Sequence, residues 1–153
     1  MKVGNYALYD KVQGVYMHGV QLSSDVLFKR TIEIAVARNQ LGDAILRHPD
    51  EFFGVQIGSF DNEFGVWLPE SPKVLWCVAT LFEDENVRSK VNPNAVRELQ
   101  DVLFAKIVKY EQHMKELDAL RQARAEVANR IASGVLDKAM DAEVEKENSA
   151  DVK

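Results

Sequence analysis

Short apolar runs separated by polar breaks fill the first 85 residues, a pattern typical of a small sheet with one packed helix. Residues 6–9 are an apolar run that ends at an aspartate, and they predict a strand. Phe28, Ile32 and Val36 follow helical spacing, and charged side chains occupy much of the opposite side. This spacing predicts a helix over residues 25–39.

The next stretch alternates with a period of two. In residues 52–60, Phe53, Val55 and Ile57 occupy one face of a predicted strand. Gly54 lies on the opposite face, where a missing side chain favours a bulge or the close approach of a bulky group. The sequence therefore predicts a strand with something large against its glycine face.

A hairpin and a second strand should complete the sheet. Residues 61–65 are polar and end in a glycine, which suits a hairpin loop, and residues 66–68 return from it. Residues 74–82 are apolar on both faces, which predicts the longest strand, in a central position. Cys77 within this run is interpreted as a small buried apolar residue.

The chain changes character after residue 85. We predict a first domain over residues 1–85, a linker over 86–93, a long helix plus a short amphipathic helix over 94–147, and a frayed tail over 148–153. The fold class is therefore α+β, with a small antiparallel sheet and one packed helix, followed by a long C-terminal helix that has coiled-coil spacing. The apolar stripe of that helix consists of Leu99, Leu103, Ile107, Tyr110, Met114 and Leu117.

This stripe predicts self-association. A helix of about 38 residues spans ~57 Å, longer than a small sheet can cover. It must pair with a copy of itself, most simply as a dimer, or fold back on the last helix. We expect a homo-oligomer.

Charge and composition reduce the number of functions that the chain could have. The chain has a formal net charge of −5, and residues 1–85 carry seven basic against twelve acidic residues. This balance counts against nucleic-acid binding through a general basic excess. No phosphate loop, paired-histidine spacing or serine elbow is present, so we expect no enzyme activity, no cofactor and no metal. No apolar run approaches membrane-spanning length, so we expect a cytoplasmic protein without membrane contact.

Two groups of side chains are candidates for contact with nucleic acid. Cations on and after the predicted helix can bind phosphates, and aromatic residues of the sheet can stack on bases. The competing interpretation is that the cations form solvated pairs, such as Lys29 with Glu33, and that the aromatic rings are core. The candidates are Lys29, Arg30, Arg38, Arg47, Phe52 and Trp67.

One segment resembles a known family. Residues 48–61 read His-Pro-Asp-Glu-Phe-Phe-Gly-Val-Gln-Ile-Gly-Ser-Phe-Asp and precede a glycine turn and a proline-containing segment. This run is similar to the signature of the small nonstructural protein of gokushoviruses, single-stranded DNA phages of the microvirus family. The resemblance covers about residues 3–82, departs from the pattern at Glu51, and does not include the helix after Asn92. Upstream matches are Tyr9, Asp10, Arg30, Ile32, Ala35 and Val36.

The resemblance implies an accessory role in viral DNA replication. Such a protein would bind DNA in the host bacterial cytoplasm and help to switch synthesis towards packaged single-stranded genomes. The acidic first domain favours a different class, a non-catalytic oligomeric adaptor that docks on replication or capsid-assembly proteins of virus or host without touching DNA. The sequence alone does not decide between these two functions.

Overall fold

The computed structural model describes residues 1–17 and 19–150. Within this part of the chain, six antiparallel strands form one sheet, and helices follow the strands in the α+β arrangement expected from the sequence. The strands are β1 (Lys2–Asp10), β2 (Val15–Tyr16), β3 (Val20–Leu22), β4 (Phe52–Asp61), β5 (Val66–Leu68) and β6 (Lys73–Cys77). The helices are α1 (Asp25–Ala37), α2 (Asp43–Arg47), α3 (Glu85–Arg88) and α4 (Ala95–Ala150).

Strands β1 and β4 form the centre of the sheet. They pair along their whole length, from Lys2 opposite Asp61 to Asp10 opposite Phe52, with one irregularity between Asn5 and Tyr6. Strands β2 and β3 both pair with β1, while β5 and β6 both pair with β4. Every outer position of the sheet is therefore held by a short strand.

The prediction of a long central strand over residues 74–82 is wrong. Strand β6 ends at Cys77, and β4 is its only partner among the described strands. The chain then continues as a 3₁₀ helix, Val78–Leu81. Val78 and Ala79 are fully buried within this turn. The run is apolar because the turn is packed in the core, so burial on all sides does not require a central strand.

Both faces of the sheet are covered. Tyr6 and Leu8 of β1 belong to one cluster, and the ring of Phe28 from α1 stacks on Tyr6 with 5.1 Å between centroids. Tyr9 belongs to the opposite cluster, which includes Leu103 from the start of α4. The alternation along β1 thus separates a core beneath α1 from a core beneath α4.

Helix α1 confirms the predicted helix and has a defined start. The hydroxyl of Ser24 accepts a hydrogen bond from the backbone N–H of Leu27 at 3.3 Å, and Asp25 occupies the first turn. The helix ends at Ala37, and Arg38 is its C-cap. A side-chain cap and an acidic first turn both stabilise the helix N-terminus.

A bulky group packs against the glycine face of β4, as predicted from the sequence. Gly54 lies opposite Trp76 of β6, and the indole ring occupies the space that a β-carbon at Gly54 would need. Phe53 and Val55 are buried on the other face, and Ile57 packs against the same cluster. The missing side chain therefore accommodates an aromatic ring.

The first compact unit, Met1–Ile107, extends past the domain end expected at residue 85. Two side chains of α4 attach the start of this helix to the sheet. The side-chain amide of Gln100 accepts from the N–H of Val74 and donates to the carbonyl of Pro72, both at 2.7 Å. The ammonium of Lys106 donates to the hydroxyl of Tyr9 at 2.8 Å. The expected linker region holds α3, and the first turns of α4 complete the core.

The second unit, Val108–Lys153, is described as far as Ala150 and consists of the remainder of α4. The long helix and the separate short helix predicted over residues 94–147 form a single helix, because α4 runs without a break from Ala95 to Ala150. The helix includes residues 148–150 of the predicted tail, and residues 151–153 lie outside the described part. Among the described helices, none has the length and apolar character needed to cross a membrane.

Candidate nucleic-acid interface

The four predicted cations are exposed, but they do not share one surface. Lys29, Arg30 and Arg38 belong to α1 or its C-cap, and Arg47 is the last residue of α2. Lys29 and Arg38 are nine residues apart, which corresponds to about half a turn of rotation around the helix axis. Arg30 and Arg38 differ by eight residues, about 80°, and point to the same side. The expected basic face is therefore divided into two parts.

Each part is close to carboxylates. Arg30 lines a surface depression of about 660 Å³ together with Glu33 and Glu83. Lys29 forms an ion pair with Glu33 at 3.9 Å, and both side chains are about half exposed. Pairs of this kind are weak and are screened by salt, so the cations remain able to exchange their partner for a phosphate.

Lys73 is not among the cations that the sequence pattern predicts as contacts. This residue opens β6 and lines a second depression of about 260 Å³ together with Lys29, Asp25 and the half-buried Trp76. The arrangement brings two ammonium groups beside an aromatic ring. It depends on how β6 packs against α1, which the spacing of residues along the chain does not reveal.

The electrostatic surroundings of this second depression are mixed. Burial raises the pKa of the Tyr6 hydroxyl, and the nearby carboxylates of Asp25 and Glu70 raise it further. Glu70 also accepts a hydrogen bond from the Ser59 hydroxyl at 2.6 Å. The carboxylate of Asp25, which lines this depression with the two lysines, therefore opposes phosphate binding there.

The two aromatic candidates have opposite environments. Phe52 is only 3% exposed and packs in the core beneath α1, so its ring cannot stack on a base; this corrects its assignment as a contact residue. Trp67 is 56% exposed. Its ring contacts Phe60 across the β4–β5 hairpin, with 4.9 Å between centroids.

This aromatic pair belongs to a row across three strands. Phe60 lies opposite Val3 on one side and opposite Trp67 on the other. Directly opposed residues of antiparallel strands share a face of the sheet. Phe64, in the hairpin loop, is largely exposed. The hairpin thus presents an apolar, aromatic surface on which unpaired bases can stack.

Side-chain hydrogen bonds and a glycine stabilise the loop of this hairpin. The carboxylate of Asp61 accepts from the N–H groups of Glu63 and Phe64 at 2.9 and 3.3 Å. Gly65 has φ of 66°, a left-handed conformation that suits glycine, as the sequence predicted. A hydrogen-bonded turn therefore connects β4 and β5 next to the exposed rings.

The predicted oligomerisation stripe also divides. Leu99 and Leu103 are each 2% exposed within the core of the first unit, so they cannot contact another chain; this corrects their assignment. Tyr110 is 60% exposed, and Ile107, Met114 and Leu117 are partly covered. The exposed apolar positions continue further along α4 than the predicted stripe: Leu120, Val127, Ile131, Val135, Leu136, Met140 and Val144.

Comparison with known proteins identifies a family for the first part of the chain. Residues 3–82 match the family described as Phage ORF5 protein. The matched region contains all the candidate contact residues of the sheet and α1, and it ends before α4 begins. No curated protein and no solved structure matches the chain.

Proposed function

The chain belongs to the Phage ORF5 protein family, and from this membership we propose that it is a non-catalytic accessory protein of phage DNA replication that binds single-stranded DNA. The resemblance of residues 48–61 to the gokushovirus nonstructural protein supports this role. It favours action in the host bacterial cytoplasm, at the switch towards packaged single-stranded genomes.

The observation that carries the proposal is the exposed Trp67 against Phe60. Stacking of a base on an aromatic ring contributes about 1–3 kcal/mol and accepts every base, because each base has a π-face. Trp67 is more than half exposed beside Phe60, and Phe64 of the same hairpin is largely exposed as well. Exposed apolar surface concentrated in one place is typical of a binding site. A single-stranded nucleic acid is the partner that suits such a site.

Phosphate contacts are assigned to Arg30 and Arg38, which point to one side of α1. Arg47 lies on the short helix that follows, and Lys29 together with Lys73 forms a separate, weaker cationic position. Since the nearby carboxylates reduce the positive potential around these cations, a single copy of the chain should bind DNA weakly. Two or more copies held together in an oligomer would contact one DNA strand simultaneously, which raises the overall affinity without new contacts.

Fluorescence anisotropy with labelled single-stranded oligonucleotides tests the proposal. Replacement of Trp67 by alanine should weaken binding by about 5- to 150-fold, the equivalent of one stacked base. The matched variant Trp67→Phe keeps an aromatic ring and should retain most of the affinity. Equal binding by the parent and the Trp67→Ala protein would contradict the assignment of this site.

A second candidate is a protein–protein adaptor in phage replication or capsid assembly. It is favoured by the net charge of −5 and by exposed apolar residues at the edge formed by β2 and β3, among them Val15, Tyr16 and Val20. An adaptor of this kind does not bind single-stranded DNA at low salt. The same anisotropy measurement therefore separates the two candidates.

A further inference from the structure

The second unit exposes side chains at the spacing of a coiled-coil seam. In alternating steps of three and four residues, α4 presents Leu117, Leu120, Arg124, Val127 and Ile131 on one side. This alternation is the repeat of a left-handed coiled coil. Leu120, Val127 and Ile131 are each more than half exposed, and Arg124 lines a shallow groove with them. We call these five positions the seam; within the described part of the chain it is largely uncovered, as in a helix that pairs with a second one.

The same repeat continues for a short distance on both sides of the seam. Towards the N-terminus it reaches His113 and then Tyr110, which is 60% exposed. Towards the C-terminus it reaches Gly134, and the next two positions hold Lys138 and Asp141. Because charged residues replace apolar ones there, helix pairing through this repeat should end before Lys138.

Two opposite charges flank the seam. Glu116 directly precedes Leu117 and Arg121 directly follows Leu120, so they occupy the g and e positions of the heptad. In a parallel pair in register, the g residue of one helix lies beside the e residue of the other helix in the following heptad. Glu116 of each copy then lies beside Arg121 of the other copy. Arg121 also pairs with Asp118 of its own helix at 3.3 Å, an exposed and therefore weak contact that leaves it able to bind a second carboxylate.

An antiparallel pair loses this attraction. In the antiparallel register that sets the two seams against each other, Leu120 lies beside Ile131 of the second copy. Facing g positions then bring Glu116 beside Asp137 of the second copy, a contact between like charges. Contacts between flanking charges set the orientation of paired helices. The seam and its flanking charges are therefore satisfied together in the parallel register.

A shift of the antiparallel pair by one heptad does not remove the conflict. It brings Glu116 beside Arg130 of the second copy, but it sets Ile131 against His113 and Leu120 against Arg124. The charges then attract at the expense of the apolar contacts.

Arg124 is the charged position of the seam. In the parallel pair it meets the same arginine of the second copy, which lowers the stability of the pair. A single polar or basic residue at an a position of a coiled coil specifies the register and the number of strands at such a cost. The long arginine side chain keeps its charged end in water while its methylene groups cover the seam.

We propose that residues 110–134 of α4 pair with the same residues of a second copy in a parallel, in-register coiled coil. This inference rests on the homo-oligomer of the proposed function and gives it a segment and a direction. The first unit precedes this segment in the chain. A parallel pair therefore joins two DNA-binding units to the same end of the coil, so that one strand can contact both.

Charge reversal in the full-length protein tests the register. The variants Glu116→Lys and Arg121→Glu should each raise the dimer dissociation constant by about 5- to 30-fold, because two attractive contacts become repulsive. The double variant Glu116→Lys/Arg121→Glu restores opposite charges and should dimerise as the parent does. Glu126→Lys and Lys115→Glu change the same charges away from the seam and are the matched controls, with an expected change within about twofold. Sedimentation equilibrium measures each constant, and circular dichroism checks that each protein stays helical.

Disulfide trapping tests the direction independently. Under mild oxidation Leu120→Cys should link to itself, because a parallel pair brings the two side chains into contact. Mixing Leu120→Cys with Ile131→Cys should give few mixed dimers. An antiparallel pair would give the mixed disulfide as the main product, and that result would overturn the proposal. Cys77 is buried and does not compete for these links.

The mass measurements use no DNA, so they are separate from the test of DNA binding. A monomeric full-length protein at high concentration would overturn both the pairing and the oligomer of the proposed function. Equal dissociation constants for Glu116→Lys and Glu126→Lys would overturn this register and leave the proposed function standing. A dimeric parent that does not bind single-stranded DNA would contradict the proposed function and leave the pairing standing.

Discussion

The side-chain amide of Gln100 binds Val74 as the backbone of a neighbouring strand would. Its oxygen accepts from the N–H of Val74, and its nitrogen donates to the carbonyl of Pro72, both at 2.7 Å. Among the described strands β6 pairs only with β4, so the backbone groups of Val74 and Pro72 on its other side would otherwise lack these partners. The residue thus joins α4 to the sheet and covers an edge that can recruit other strands.

Replacement of Gln100 by alanine should destabilise the first unit by about 1–3 kcal/mol, because a donor and an acceptor next to the core lose their partner. Arg97 lies three residues before Gln100 on α4, and its side chain is exposed. Arg97→Ala is therefore the matched control, and it should change the free energy of unfolding by no more than about 0.5 kcal/mol. Urea unfolding monitored by tryptophan fluorescence measures both. Equal midpoints for the two variants would contradict the bridging role.

A protein that ends at Ile107 should fold cooperatively, whereas one that ends at Asn86 should not. The longer protein keeps Leu99 and Leu103, which cover Tyr9 and Phe53 in the core. The shorter protein leaves that face of the sheet exposed to water, and loss of two buried leucines removes about 4–10 kcal/mol, comparable to the whole stability of a domain. Thermal melts followed by circular dichroism distinguish the two. A cooperative melt of the shorter protein would show that the first 86 residues form an independent domain.

Because Trp76 packs against Gly54, even the addition of a methyl group at position 54 should destabilise the protein. We expect Gly54→Ala to destabilise the protein by about 1–3 kcal/mol, because the indole ring must move from its packed position. At Gly134, inside α4, nothing lies near the position of an added β-carbon, so Gly134→Ala serves as the control and should be neutral or slightly stabilising. The shift of the urea midpoint reports each change. A neutral Gly54→Ala would mean that Trp76 moves aside at no cost.

The thiol of Cys77 should be protected in the folded protein. Burial raises its pKa above the ordinary value of 9.0, so the reactive thiolate is suppressed. A raised pKa in the folded state contributes stability below the unfolded value and loses it as the pH rises through the folded value. Stability should therefore decline at alkaline pH. Alkylation by iodoacetamide, followed by mass spectrometry, should be slow in the native protein and rapid in denaturant; rapid native labelling near pH 7 would contradict this burial.

The sequence predicts correctly those elements that are determined by residues close together along the chain. Helix α1 follows from its cap and its apolar spacing, and the β4–β5 hairpin follows from a polar loop that ends in Gly65. The close approach at Gly54 was also anticipated from its position on the strand, although the ring that fills it was not identified. These features depend on residues within a few positions of one another.

Contacts between distant segments could not be predicted in the same way. Residues 74–82 are apolar because Val78 and Ala79 pack in a turn, and the pattern of a buried turn resembles that of a buried strand. Leu99 and Leu103 follow the same helical spacing as Tyr110 and Leu117, yet they pack on the sheet of their own chain. Periodicity identifies the apolar face of a helix and does not identify what covers it. Lys73 was missed for a related reason, because its nearness to Lys29 arises from the packing of β6 beside α1.

The salt dependence of single-stranded DNA binding tests the central claim most directly. The dissociation constant of the full-length protein for a labelled oligonucleotide is measured across a series of salt concentrations, with Arg30→Glu/Arg38→Glu beside it and Lys11→Glu/Lys90→Glu as a control with the same charge change. The affinity of the parent should fall as salt rises, with a slope of about 0.7 per phosphate contact in a double-logarithmic plot. The arginine variant should bind more weakly with a shallower slope, and the lysine control should keep the slope of the parent. Absence of binding at the lowest salt, or an affinity that does not change with salt, would contradict the proposal that this phage protein binds single-stranded DNA.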